Sequence, residues 1–179
     1  MCIRDRLKDG SLKTFISNYE ACDSDGQDGL EVDDCAVYWF EAYFPKHRTV
    51  LINARGYESG NFYLVNVDSG NATRIDEQPQ FSASGDRFAV VTSSEAGPVE
   101  RDIAIYAARS DPPVLEFGFR PPEGTYALYS FERWAGEGRV NLKIHTREKA
   151  GADLNELRAS AVRTAKGWRL EGTPPGPDR

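Results

Sequence analysis

A chain of 179 residues and 19.9 kDa, 40% hydrophobic and 11% aromatic, is long enough to bury a core of its own. Its net charge of −6 comes with no basic face, which argues against nucleic acid as a partner. No apolar run approaches the roughly 20 residues that a helical membrane span requires.

The first six residues, MCIRDR, resemble the translation of a transposase adapter used in sequencing libraries. Residues 1–6 are therefore expected to be foreign, with the natural start and any export signal lying upstream. Leu7 to Phe15, LKDGSLKTF, places an Asp-Gly turn between strand-like ends and reads as the remnant of an earlier hairpin. A loop by composition follows. Between Glu20 and Asp34 it holds Glu20, Asp23, Asp25, Asp28, Glu31, Asp33 and Asp34 and no base, so the rest of the chain is near neutral. Cys22 and Cys35 flank it. With Cys2 set aside they form an even pair, and a disulfide between them is expected. Closing a loop of about 15 residues would contribute roughly 3 kcal/mol, and the bond persists only in an oxidising compartment. Two unpaired thiols in a cytosolic protein are the alternative.

The same loop is the best chemical signal. Calcium takes six to eight oxygen ligands, and Asp23, Asp25 and Asp28, completed by Glu31 or Asp33, are the candidate metal ligands. The spacing departs from an EF-hand loop, because Gln27 and Asp28 stand where an acid and a glycine belong. A solvated acidic turn is the plainer reading.

Strand signals fill the remainder. Ala36 to Phe44 is dense in aromatics and nearly continuous in apolar character, which predicts a strand covered on both faces, ended by Pro45. Thr49 to Ala54 is another strand. Asn61 to Val91 carries three strand signals, Phe62–Val67, Thr73–Ile75 and Arg87–Thr92, separated by the turns DSGN and FSASGD. Asp102–Ala107, Val114–Phe119 and Thr125–Phe131 follow, with proline turns between. Arg139–Arg147 is the cleanest amphipathic strand: Val140, Leu142, Ile144 and Thr146 alternate with Asn141, Lys143, His145 and Arg147. Leu157–Thr164 and Trp168–Glu171 make a last hairpin, and residues 172–179 read as a disordered tail. Many short strands, a turn every 8 to 12 residues or so and no long helix define an all-β domain over residues 7–171. An antiparallel, propeller-like meander of about three blades is expected, incomplete as a ring, with a β-sandwich as the alternative.

QPQFSASGDRFAVV resembles the blade motif of TolB-type β-propeller repeats through Phe81, Ser82, Gly85, Arg87, Phe88 and Ala89. Ala83 and Ser84 stand where that pattern has Pro and Asp. From Val37 to Leu170 the order of motifs is similar to a group of exported bacterial proteins without an established activity. The resemblance implies a propeller-like fold and a periplasmic or secreted location, and no chemistry.

The candidate chemistry is otherwise thin. His47 follows Pro45 in a turn and His145 lies on an outward strand face. Gly-x-Ser-x-Gly is absent, so a Ser-His-Asp site has no supporting motif. Two histidines and two loop cysteines do not build a zinc site convincingly, and no phosphate loop has its strand–loop–helix setting. Tyr57 and Glu58 at a hairpin tip are the candidate interaction loop, and Trp39, Trp134 and Trp168 are expected to pack. These features point to a non-enzymatic binding or scaffolding module with a protein or carbohydrate partner and no cofactor. A hydrolase built on His47 or His145 with a carboxylate, and a calcium-stabilised module, are the alternatives.

Overall fold

Runs of β-branched and aromatic residues between glycine turns lie side by side as strands throughout the computed structural model. It describes residues 2–8, 10–19, 36–56, 60–92, 100–122, 125, 127–146 and 155–172, with the backbone alone at 2–6. The chain divides into two compact units, Met1–Asp76 and Glu77–Arg179. The expected all-β class holds: among the described residues the only named element that is not a strand is a 3-10 turn at Pro45–His47.

In the first unit, β1 (Cys2–Arg6) and β2 (Leu12–Ile16) form a hairpin turned at Gly10. A four-stranded antiparallel meander follows: β3 (Val37–Phe44), β4 (Thr49–Arg55), β5 (Gly60–Asn66) and β6 (Ala72–Ile75). One face of this sheet buries Val50, Ile52 and Val65, with Tyr38, Tyr63 and Phe15 of β2 packed against them. Phe15 lies 5.3 Å from Tyr38 and 5.9 Å from Tyr63, ring centre to ring centre. The expectation that β3 is covered on both faces is corrected here. Phe40 is 55% exposed and Tyr43 44% exposed. As the edge strand of its sheet, β3 has its continuous apolar run only partly buried.

The second unit holds two further four-stranded meanders. One is β7 (Gln80–Phe81), β8 (Arg87–Val91), β9 (Ile103–Ala107) and β10 (Val114–Phe119). The other is β11 (Ala127–Trp134), β12 (Arg139–Thr146), β13 (Asn155–Thr164) and β14 (Gly167–Glu171). All three four-stranded sheets are built from consecutive strands. The stretch Asn61–Val91 does not belong to one sheet. Its first hairpin closes the first unit, and the segment through the buried Pro79 leads the chain into the next meander. What reads as a single turn in the sequence, FSASGD, begins with the short strand β7.

The two sheets of the second unit share one core. Ala89, Val91, Ile103 and Ile105 from the first face Tyr129, Val140, Leu142, Ile144, Ala159 and Ala161 from the second. The alternation read in Arg139–Arg147 is realised as far as His145, with Val140, Leu142 and Ile144 fully buried; Thr146 is half-buried like His145, and Arg147 lies outside the described residues. The sheets stack in step. Trp134 of β11 donates its indole N–H to the carbonyl of Gln80 in β7, at 2.8 Å. Trp168 of β14 donates to Glu116 of β10, at 3.0 Å. First strand therefore lies by first strand and last by last.

Two of the meanders open on the same hexad. Tyr38-Trp-Phe-Glu-Ala-Tyr43 in β3 matches Tyr129-Ser-Phe-Glu-Arg-Trp134 in β11. In both, the glutamate is a β-bulge: Glu41 is skipped between the pairs Phe40–Ile52 and Ala42–Leu51, and Glu132 between Phe131–Leu142 and Arg133–Asn141. A third glutamate, Glu116, occupies the bulge of β10. All three strands are sheet edges, where bulges bend the ladder away from further pairing.

Candidate functional site

At one end of the second unit, the turns β7–β8, β9–β10 and β11–β12 are tied together by side chains. The β7–β8 turn needs Gly85, whose φ of 72° is open to glycine at little cost. Its backbone is closed by Gly85 N–H to the Ser82 carbonyl at 2.8 Å and Ser82 N–H to the Arg87 carbonyl at 2.9 Å. Ser84 stands where the propeller-like motif has aspartate, and its side chain caps the turn by accepting from the Asp86 N–H at 3.1 Å. From the β11–β12 turn, Glu137 accepts from the Ser84 N–H at 2.8 Å and from the Ser84 hydroxyl at 2.7 Å. From the β9–β10 turn, Arg109 pairs with Asp86 while most of its own side chain stays in solvent.

The donors set the electrostatics. Hydrogen bonds from the Ser84 hydroxyl and N–H, aided by Ser82, hold the Glu137 carboxyl below the usual carboxylate range. The cluster holds two carboxylates, Asp86 and Glu137, and the Arg109 guanidinium at one end of the sheets.

Behind these turns, Glu116 accepts from Arg87 Nε at 2.7 Å and Nη2 at 3.3 Å, with Arg163 at 3.9 Å. The Arg87 hydrogen bond is the main reason its carboxyl lies below the ordinary value, with Trp168 adding to it. At the other end of the sheets, burial pushes the Asp102 carboxyl up, partly offset by Arg120. Burial and nearby Asp102 push the Tyr129 phenol up to about 12. The Tyr129 hydroxyl is fully buried and has no hydrogen-bond partner among the described residues.

The residues singled out in the sequence are not the ones brought together here. Asp23, Asp25, Asp28, Cys22 and Cys35 lie outside the described residues, as do Tyr57 and Glu58. His47 ends the turn after β3, in the first unit. His145 lies on β12 opposite Leu128 and Glu156, and Glu156 pairs with Lys143 at 3.6 Å. Trp134 and Trp168 pack as expected, 6.2 Å apart and edge to face, while Trp39 carries the Arg55 guanidinium at 5.6 Å from its ring centre. No group of three or more metal-ligating side chains that could hold a metal is present among the described residues, and no helix there is long and apolar enough to cross a membrane, which says nothing of β-barrels. Ser84, Glu137 and Arg109 were not legible as a site, because they join only when three separate turns converge. Comparison with known proteins adds no assignment: no family model, no curated protein and no solved structure matches the chain.

Proposed function

We propose that the chain is a propeller-like binding or scaffolding module, without catalytic activity, that engages a protein or carbohydrate partner through the turns at one end of the second unit. The observation that carries this reading is the cross-tying of three turns by Ser84, Glu137, Asp86 and Arg109. Loops held in one geometry bind without first being ordered, which lowers the entropic cost of association. The exposed Arg109 and the half-buried Asp86 and Glu137 offer hydrogen-bonding groups of both signs. The in-step stacking of consecutive meanders supports the propeller-like reading of the fold, because that is how blades follow one another around a ring. A periplasmic or secreted location rests on the Cys22–Cys35 pair and on the motif resemblance.

The test is a glycan array and a cross-linking screen against extracytoplasmic proteins, run with the parent chain and with Arg109→Glu. A partner retained by the parent and lost by the variant, with unchanged melting of both, is the expected result. Turnover of generic ester, glycoside or phosphate substrates that survives purification and is abolished by His145→Ala would overturn the reading in favour of a hydrolase.

A further inference from the structure

We propose that the face of the first sheet bearing Phe40 and Tyr43 is the seat of two further β-strands, contributed by the polypeptide directly N-terminal to β1, which complete β1 and β2 as a fourth four-stranded meander. An internal repeat carries this inference, independently of the binding reading above.

The shared hexad fixes the equivalence: Tyr38 corresponds to Tyr129, Phe40 to Phe131 and Tyr43 to Trp134. The ladders agree. Phe40 and Tyr43 stand opposite Ile52 and Val50, as Phe131 and Trp134 stand opposite Leu142 and Val140, so in each sheet the two aromatics share the face that carries the core. What covers that face differs.

In the second unit the cover is a complete sheet. Phe119 of its last strand, β10, meets Tyr129 edge to face at 5.8 Å, and β7, its first strand, receives the Trp134 indole. In the first unit Phe15 of β2 meets Tyr38 at 5.3 Å with the rings tilted, so the equivalent tyrosine is again met by a phenylalanine of the preceding strand. Strand β2 therefore takes the place of β10, and β1 the place of β9. Nothing among the described residues takes the places of β7 and β8, and Phe131 and Trp134, which pack against the shared core, correspond to Phe40 and Tyr43, which are 55% and 44% exposed. Two large aromatics exposed side by side on a core-bearing face mark a contact surface. Every complete sheet here is four consecutive strands, so the missing pair belongs immediately before β1 and pairs with its free edge.

The experiment expresses the present chain and, separately, the chain extended by the coding sequence that precedes it in the source DNA. Hydroxyl-radical labelling read by mass spectrometry compares Phe40 and Tyr43 in the two, with the exposed Leu157 as the reference. Labelling of both residues several-fold lower in the extended chain is expected, with Leu157 unchanged. Equal labelling in the two chains overturns the proposal, and so does protection in the present chain that grows with its concentration, which would assign the face to a second copy. A second measurement needs only the present chain: Phe40→Ser should leave its melting temperature unchanged, whereas Phe131→Ser, at the covered equivalent, should lower it sharply. Equal losses for the two variants would overturn the proposal.

Discussion

The Trp168 indole N–H donates to Glu116 Oε2 across 3.0 Å, joining the last strand of one sheet to the last strand of its neighbour. The same carboxylate takes two hydrogen bonds from Arg87, only 14% of whose side chain is exposed. One glutamate thus serves two sheets.

Replacing Glu116 with Gln removes the charge that Arg87 needs and keeps the shape. Charged hydrogen bonds in partly buried sites are worth about 1.5–3 kcal/mol, and the variant should lose a comparable amount in urea unfolding at neutral pH. The acid limb should change too. The folded-state carboxyl sits below its ordinary value. Its stabilisation is therefore present above the unfolded-state pKa and lost as pH falls through the lower folded one. The Gln variant should lack that part of the acid dependence. Parallel curves for parent and variant below pH 5 would contradict the assignment.

Tyr129 gives the opposite sign. Its hydroxyl is buried without a partner among the described residues, so Tyr129→Phe removes a desolvated polar group and leaves the ring contact with Phe119 in place. The expected result is unchanged stability or a gain of about 1 kcal/mol, measured by chemical denaturation. With the folded-state pKa pushed up to about 12 from an ordinary 10.0, the neutral phenol is favoured in the fold. That contribution is complete below the unfolded-state pKa and disappears as pH rises through the folded one. The parent should lose stability in that alkaline range more steeply than the Phe variant.

Glu137→Ala tests the cross-tied turns. The Ser84 N–H loses its acceptor, and hydrogen exchange at that amide should speed up, while exchange at Ile105 and Leu142 in the core stays slow. Unchanged protection at Ser84 would show that the turn holds itself.

Gly172 closes β14 with a φ of 76°, and a Cβ there would stand 2.6 Å from the Arg158 carbonyl oxygen. Gly172→Ala meets both obstacles, and the cost should reach about 1–3 kcal/mol, read as a lower urea midpoint. A neutral effect would show that the end of β14 relaxes freely.

Most of the strands were legible because their alternation is strong: Arg139–Thr146 needs only a period of two, and Gly70 and Gly85 mark their turns. Alternation fails as a guide in β8 and β9, where Ala104 is buried along with Ile103 and Ile105, and Phe88 and Val90 along with Ala89 and Val91. The exposed Phe40 and Tyr43 defeated the reading from the other side, since apolar character alone does not say whether a cover is present. The turn cluster was hidden for a different reason. Ser84, Glu137 and Arg109 are ordinary loop residues in sequence, and only the meeting of three hairpin ends gives them a joint meaning. The repeated Tyr-x-Phe-Glu-x-aromatic hexad was the signal available for the internal repeat, and recognising its bulged glutamate requires the ladder.

Glu41, Glu116 and Glu132 each put the ladder of an outer strand out of step by one residue. An incoming extended peptide can align with one half of such a border or the other, never with its whole length, and at Glu41 and Glu132 it also meets a carboxylate. Fibril-like growth by lateral recruitment is thereby interrupted at three of the molecule's own margins, so the chain can be rich in extended segments and aromatic residues without offering those margins as a template.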